Sequence, residues 1–273
     1  MSGGGQTGGG LALGPLTYTD DYRDRILETL LSGYAAGELT EAEFQLELDT
    51  SPVWADVPRL TVAEATKGLE EAGGLRSPPT YPASKTIAMT HQGQINTTFC
   101  GPAAGLMILK SMGISKSAKT QDALTQQVLA NNDHMKTTKN GGTDWSPANF
   151  AAGLNAARGK TPQYGHVRPA SVSSLSNYVK ADIYQNMPLG ANLQENANTG
   201  VYNQHPKPAA GKQRGHWVAL YGYSSSGATL SFDDPAGANV AVMGSAWKDA
   251  AAKFSMTATK TYTYMVAPHG LAY

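Results

Sequence analysis

Along the first quarter of the chain, apolar side chains recur every three or four positions, whereas toward the end they come in short β-rich runs. Residues 18–72 read as three short helices. The first spans about Asp21 to Leu31, with Ile26, Leu27, Leu30 and Leu31 as its apolar stripe and Gly33 as its stop. The second opens at Thr40-Glu41-Ala42-Glu43. This is a capping box: the Thr hydroxyl satisfies one free amide while the Glu carboxylate reaches back to another. Phe44 and Leu48, four apart, share a face, and Ser51-Pro52 ends the helix. A second capping box, Thr61-Val62-Ala63-Glu64, opens the third helix, which stops at Gly73-Gly74. Ser77-Pro78-Pro79 and Pro82 then make a stiff linker.

From about residue 86 the texture changes. Helices are predicted over Cys100–Met112 (Pro102 in the first turn, Gly113 as the stop), over 120–131, from Ser146-Pro147 to near Gly159, and from Ser171 to about Gln185. Strands are predicted over Leu189–Leu193, Trp217–Tyr223, Thr229–Asp233 and Tyr262–Val266, with one more helix near Trp247–Phe254. Helices first and antiparallel strands later predict an α+β domain with a helical half and a sheet half. The expected organisation is a flexible Gly-rich lead-in at 1–16, a helical extension at 17–75, a Pro-rich linker at 76–85 and a main domain at 86–273.

Composition limits the partners. The 21 basic and 21 acidic residues cancel, so net charge gives no footprint for a nucleic acid or a membrane surface. No apolar run approaches the ~18 residues that span a bilayer. Cys100 is the sole cysteine, which excludes an intramolecular disulfide framework. Charged residues are only 15% of the chain, a composition that suggests an exported bacterial protein, with a cytosolic one as the alternative. Met1 to Gly10 carry no basic-then-apolar signal pattern, so an exported form would have had its signal removed. The zero total conceals a division. Residues 20–71 hold thirteen acids and four bases, a net of −9, and residues 72–273 carry +9. Two arrangements fit: a prosegment or inhibitory cover of residues 17–75 docked on the basic region, and an integral helical subdomain.

Cys100-Gly101-Pro102 sets the cysteine at a predicted helix N-terminus, where unpaired amides and the positive dipole end favour a thiolate. Gly101 and Gly105 let the backbone near the sulfur approach a substrate or a neighbouring element. The alternative is a buried, inert cysteine in a helix cap. A nucleophilic thiol needs a base, usually His. Of six histidines, His216 stands out, because it opens the run Trp217-Val218-Ala219-Leu220-Tyr221. Folding that run back through the turn Ser224–Gly227 onto Thr229–Phe232 sets His216 opposite residues 234–235. Asp234, fixed by Pro235, is then the carboxylate that orients the imidazole, and Asp233 points to the other side of the strand. An ordinary hairpin with an acidic exit turn is the plainer alternative. Gln94 offers a side-chain amide that, with the Cys100 backbone N–H, suits an oxyanion. Trp145 and Trp217 flank the same loops as weaker substrate-binding candidates, aromatic core packing being their commoner role. Asn140-Gly141-Gly142-Thr143 is a turn bordering a cleft, and His166 and His205 read as structural or exposed. The histidines are too scattered for a zinc spacing, so no metal is expected.

Gln94 with five residues before Cys100-Gly101-Pro102-Ala103-Ala104, then Gly215-His216-Trp217-Val218, then Asp233-Asp234-Pro235, resembles papain-like cysteine peptidases of the bacteriocin-processing (double-glycine leader peptidase) type. The likeness is closer to their stand-alone bacterial relatives than to the peptidase domains fused to transporters, and it covers about residues 86–270. It implies a papain-like α+β fold, no cofactor, a peptide or protein substrate, and these roles: Cys100 nucleophile, His216 base, Asp234 orienting acid, Gln94 oxyanion donor. The acidic helices lie outside the family domain, and no transporter region follows, so cleavage coupled to export is not implied. Two other activities share these residues: transfer of the acyl group to an amine (ligase, cyclase or transglutaminase type), and peptide binding by a catalytically idle fold.

Overall fold

In a computed structural model, residues 20–55, 57–71, 79–145, 148–160, 163–265 and 269–273 are described. The Gly-rich lead-in, the Gly73-Gly74 stop, Ser77-Pro78 of the linker, Ser146-Pro147 and Val266 lie outside them.

The first helix, α1 (Asp20–Ala35), runs past Gly33 instead of stopping there. The reason is packing: a Cβ on Gly33 would sit 2.6 Å from the Asn177 side chain, so the glycine lets a neighbouring helix approach. The chain turns at Gly37, with φ +71°. Both capping boxes form. Thr40 opens α2 (Glu41–Thr50), which Ser51 ends, and Thr61 exchanges hydrogen bonds with Glu64 at the start of α3 (Val62–Glu71).

A short strand, β1 (Lys85–Thr86), precedes α4 (Cys100–Ser111). The helix expected over 120–131 is reduced to α5 (Gln126–Ala130). Thr125 caps it late, accepting from Val128, and the residues before it are used elsewhere: Ala123 bridges to Lys116 and the Leu124 amide donates to Ser115. Next come α6 (Asn149–Arg158), capped by Gly159 at φ 60°, β2 (His166–Val167) and α7 (Val172–Tyr184), capped by Ser171.

Three strands follow: β3 (Leu189–Asn196), β4 (Gln213–Ser224) and β5 (Thr229–Asp233). Two expectations fail beyond them. Trp247–Phe254 is not a helix. After α8 (Val240–Met243) there is one tight turn at Ser245–Trp247, and Phe254 lies in β6 (Lys253–Thr257), stacked on Phe232 of the paired strand. Within the predicted strand Tyr262–Val266, the described residues Tyr262–Met265 are not a strand. Thr257 accepts from the Lys260 amide and starts α9 (Ala258–Tyr264), a cap that outweighs the β propensity of Thr and Tyr. The chain closes with β7 (Leu271–Ala272).

The architecture is α+β. Among the described residues, one seven-stranded antiparallel sheet has the order β2-β7-β3-β4-β5-β6, with β1 taking over beside β4 where β3 has ended. Alternation along β4 serves two cores. Trp217 and Ala219 pack with Met107, Ile108, Phe150 and Leu154 of α4 and α6. Val218 and Leu220 pack with α7 and with Ile26, Leu30, Phe44 and Leu48 of the N-terminal helices. The N-terminal helices therefore share one apolar cluster with the sheet.

Candidate active site

Cys100 is the first residue of α4, a twelve-residue helix whose N-cap, Phe99, supplies no side-chain cap. The first-turn amides are thus left unclaimed by a capping side chain. Gly101 permits a tight fit here: a Cβ at this position would lie 2.2 Å from Thr143 Oγ1, so only glycine lets the 140–145 loop close over the helix start. The Thr143 carbonyl in turn accepts from the indole of Trp217 at 2.9 Å.

His216 sits in β4, and Asp234 directly follows β5. Pairing of Ala219 with Asp233 and Leu220 with Phe232, with a bulge next to Leu220, sets the hairpin. His216 Nε2 lies 2.7 Å from Asp234 Oδ1, with both residues buried. Asp233 turns away and meets His91 Nδ1 at 2.6 Å. The half-buried Cys100 thiol feels both the charge and the hydrogen-bonding capacity of His216. Since Nε2 faces Asp234, Nδ1 is the nitrogen left for the sulfur.

Electrostatics follow from this geometry. Burial pushes the Cys100 thiol up, but the His216 hydrogen bond and charge, with the Trp217 and Gly101 amides, outweigh it and leave the thiol below its ordinary value. Burial pushes the His216 imidazole down, but the Asp234 charge and hydrogen bond and the Cys100 sulfur carry it up to about 10. Burial opposes the Asp234 carboxylate, yet His216 and His205 hold it well below the usual carboxylate range. The arrangement favours a thiolate–imidazolium pair over a neutral thiol and imidazole.

Gln94 is 1% exposed, and its loop is stitched to the Asp234 turn. Its amide donates to the Pro235 carbonyl at 2.9 Å, and its carbonyl accepts from Asn239 at 2.7 Å. The side-chain Nε2 donates to the Asn96 carbonyl at 2.7 Å, and Oε1 is buried with no partner. A hollow of about 270 Å³ opens beside Cys100, lined by Thr97, Thr98, Asn140–Trp145, Asn192, Gly215, Trp217 and His269. Trp145 and Trp217 thus both border it. Trp217, 1% exposed and stacked 4.0 Å from the Phe150 ring, is chiefly a core residue.

Sequence reasoning missed His205. Far from exposed, it is 3% accessible and bonds Asp234 Oδ2 through Nε2 at 2.6 Å. Asn203 adds a second donor to the same oxygen at 2.7 Å. No periodic signal marks either, because both lie in the irregular stretch between β3 and β4. His166 is buried against Trp145, with rings 4.2 Å apart, and burial drives it down to about 3. His205, His216 and Asp234 offer three ligand atoms within 4.8 Å of one another. Their 2.6 and 2.7 Å nitrogen–oxygen separations are hydrogen-bond lengths, too short for an ion held at about 2 Å from each atom in a tetrahedral site.

Residues 86–265 match the Peptidase_C39 like family. Among solved structures, xylellain, a cysteine protease from Xylella fastidiosa, aligns at 11% identity over 67% of this chain and 82% of its own, with a TM-score of 0.32. No curated protein matches the sequence. Among the described residues, no helix is long and apolar enough to cross a membrane.

Proposed function

Because the chain belongs to the Peptidase_C39-like family, we propose that it is a cysteine peptidase that cleaves peptide bonds through an acyl-enzyme on Cys100. The observation that carries this reading is the buried 2.7 Å bond between His216 Nε2 and Asp234 Oδ1, which leaves the other ring nitrogen to the thiol. In the resting pair the cysteine proton sits on His216. The Cys100 sulfur attacks the substrate carbonyl carbon, and the C–O π electrons move to oxygen. The Cys100 backbone N–H and the second N–H of the Gln94 amide, whose first donates to the Asn96 carbonyl, hold that oxyanion. When the tetrahedral species collapses, the C–N bond breaks and the leaving amine takes the proton from His216. Water then adds to the thioester, giving a proton to His216, and the C–S bond breaks to release the acid and restore the pair. Asp234 orients His216 and balances its charge throughout. The substrate enters the hollow beside Cys100, whose wall of Thr, Asn and Gly groups offers hydrogen bonds to an extended peptide backbone.

The test is product analysis by mass spectrometry on a peptide library with wild-type protein, Cys100→Ala and His216→Ala. Cleavage that both variants lose is the expected result. Cleavage persisting in folded Cys100→Ala overturns the reading. An added primary amine separates hydrolysis from transfer: amide products in place of free acids identify a transferase.

A further inference from the structure

Asp234 holds two imidazoles. Its Oδ1 accepts from His216 Nε2 and from the Ala236 amide at 2.8 Å, and its Oδ2 accepts from His205 Nε2 and Asn203. The other nitrogen of His205, Nδ1, lies 3.1 Å from Glu195 Oε1. Glu195 is fully buried, and its Oε2 accepts from Arg214 Nε at 2.8 Å and from a second guanidinium nitrogen. Arg214 also donates to the Pro206 carbonyl at 2.8 Å and lies over the Trp247 ring, 4.6 Å from its centroid. Trp247 packs on His205 at 4.5 Å.

Both nitrogens of His205 therefore face carboxylate oxygens. Ionised carboxylates only accept hydrogen bonds, so each nitrogen must carry a hydrogen, and the ring that satisfies both contacts is the imidazolium. A neutral ring would set a nitrogen lone pair against an oxygen lone pair in a water-poor site. Charges then alternate along the buried row: Cys100 negative, His216 positive, Asp234 negative, His205 positive, Glu195 negative, Arg214 positive. Tyr202, beside His205 at 4.7 Å, and Tyr264, beside Tyr202, are the other titratable groups facing this row, and burial holds both phenols protonated.

We propose that His205 is a positioning residue: its second grip on Asp234, backed by Glu195 and Arg214, sets the pH range over which the Cys100–His216 pair is ionised. This role rests on the reading of that pair as the catalytic one. The centroids of the His205 and His216 rings are 5.5 Å apart. A positive charge there favours the thiolate and disfavours the His216 imidazolium, so it draws both limits of the ionised range to lower pH.

The test measures the rate of Cys100 alkylation by iodoacetamide against pH, which requires no knowledge of the substrate. His205→Gln keeps an N–H for Asp234 without the charge, and His205→Leu removes both. In His205→Gln the plateau rate is expected to stay within about threefold, with the acid limb of the profile moving up by about 1 pH unit. In His205→Leu the limb moves the same way and the plateau drops. A folded His205→Gln protein whose acid limb does not move overturns the role of His205 alone. A wild-type protein that alkylates no faster than a free thiol overturns the ionised pair and the role of His205 with it. If His205→Gln does not fold, the ring nitrogens of wild-type His205 decide by 15N NMR at pH 7. Protons on both are expected, and one bare nitrogen overturns the proposal.

Discussion

Replacing Asp234 by Asn removes one charge while nearly preserving shape. Four donors converge on the Asp234 carboxylate. An amide offers a single acceptor oxygen and sets its NH2 against the remaining donors. Burial then pushes His216 down with only the Cys100 sulfur to oppose it. The lift from 6.5 to about 10 corresponds to about 5 kcal/mol favouring the imidazolium, at about 1.4 kcal/mol per unit. Asp234 supplies the leading part of that lift. Without it the thiol at pH 7 keeps its proton, and alkylation of Cys100 at that pH should fall about 100-fold or more. Stability should fall as well, by about 3–5 kcal/mol, because His205 and Asn203 lose their anionic partner in a buried site. The assay pairs an alkylation profile from pH 5 to 10 with urea unfolding. An Asp234→Asn protein that is folded and alkylates with the wild-type profile would refute the reasoning, since the ionised pair would then owe nothing to this carboxylate.

Burial lifts Asp182 to about 6 despite Arg25 at 3.3 Å, so its contribution to stability is full below 3.8 and is lost as pH rises through about 6. Wild-type minus Asp182→Asn unfolding free energies, measured from pH 3 to 8, should fall by about 3 kcal/mol across that window, and a flat difference would show that Asp182 titrates normally. Gly101→Ala should cost about 1–3 kcal/mol by driving a methyl into Thr143, and Thr143→Ala in the same protein should recover part of it, as a double-mutant thermal-melt cycle would show. Deleting residues 1–75 should give unfolded or aggregated protein, because Ile26, Leu30 and Phe44 cover one face of the sheet and α7. A soluble, more active truncation would instead identify the segment as a removable cover.

What the sequence disclosed, it disclosed through local rules. Thr40 and Thr61 cap their helices as the Thr-x-x-Glu pattern requires, and Cys100 opens α4 because Pro102 and Gly113 punctuate it. His216 and Asp234 meet because β4 folds back on β5 through a Ser-rich turn, and β-rich runs on either side mark that hairpin in the sequence, though not the bulge next to Leu220. The failures are places where a distant partner decides. Gly33 looks like a stop and is a contact point for α7, Phe254 belongs to a strand because Phe232 lies across from it, and α9 forms on the Thr257 cap. His205 was invisible for the same reason: nothing near it in sequence announces a carboxylate on each side of its ring.

The opposed charges of the two regions suggest electrostatic docking, but the contacts between them argue for a different force. One buried pair runs against the net charges: Arg25, from the acidic segment, meets Asp182 of the basic region and lies over the Tyr273 ring, 4.4 Å from its centroid. Glu47, fully buried, accepts from the Ala170 amide at 2.7 Å and from the Tyr178 hydroxyl at 2.8 Å, so its partners are neutral dipoles. Glu38 with Lys180 follows the expected acid-on-base sense. Around these polar contacts lie Ile26, Leu30, Phe44 and Val53, each 0% exposed, and burying one such side chain contributes about 1.5–3 kcal/mol. Exposed charges are screened within about 10 Å at 0.1 M salt, whereas apolar burial is not weakened by salt. The −9 segment is therefore held chiefly by its apolar face, and Asp24, Glu28, Glu41, Asp49 and Glu64, all exposed, supply solubility more than adhesion.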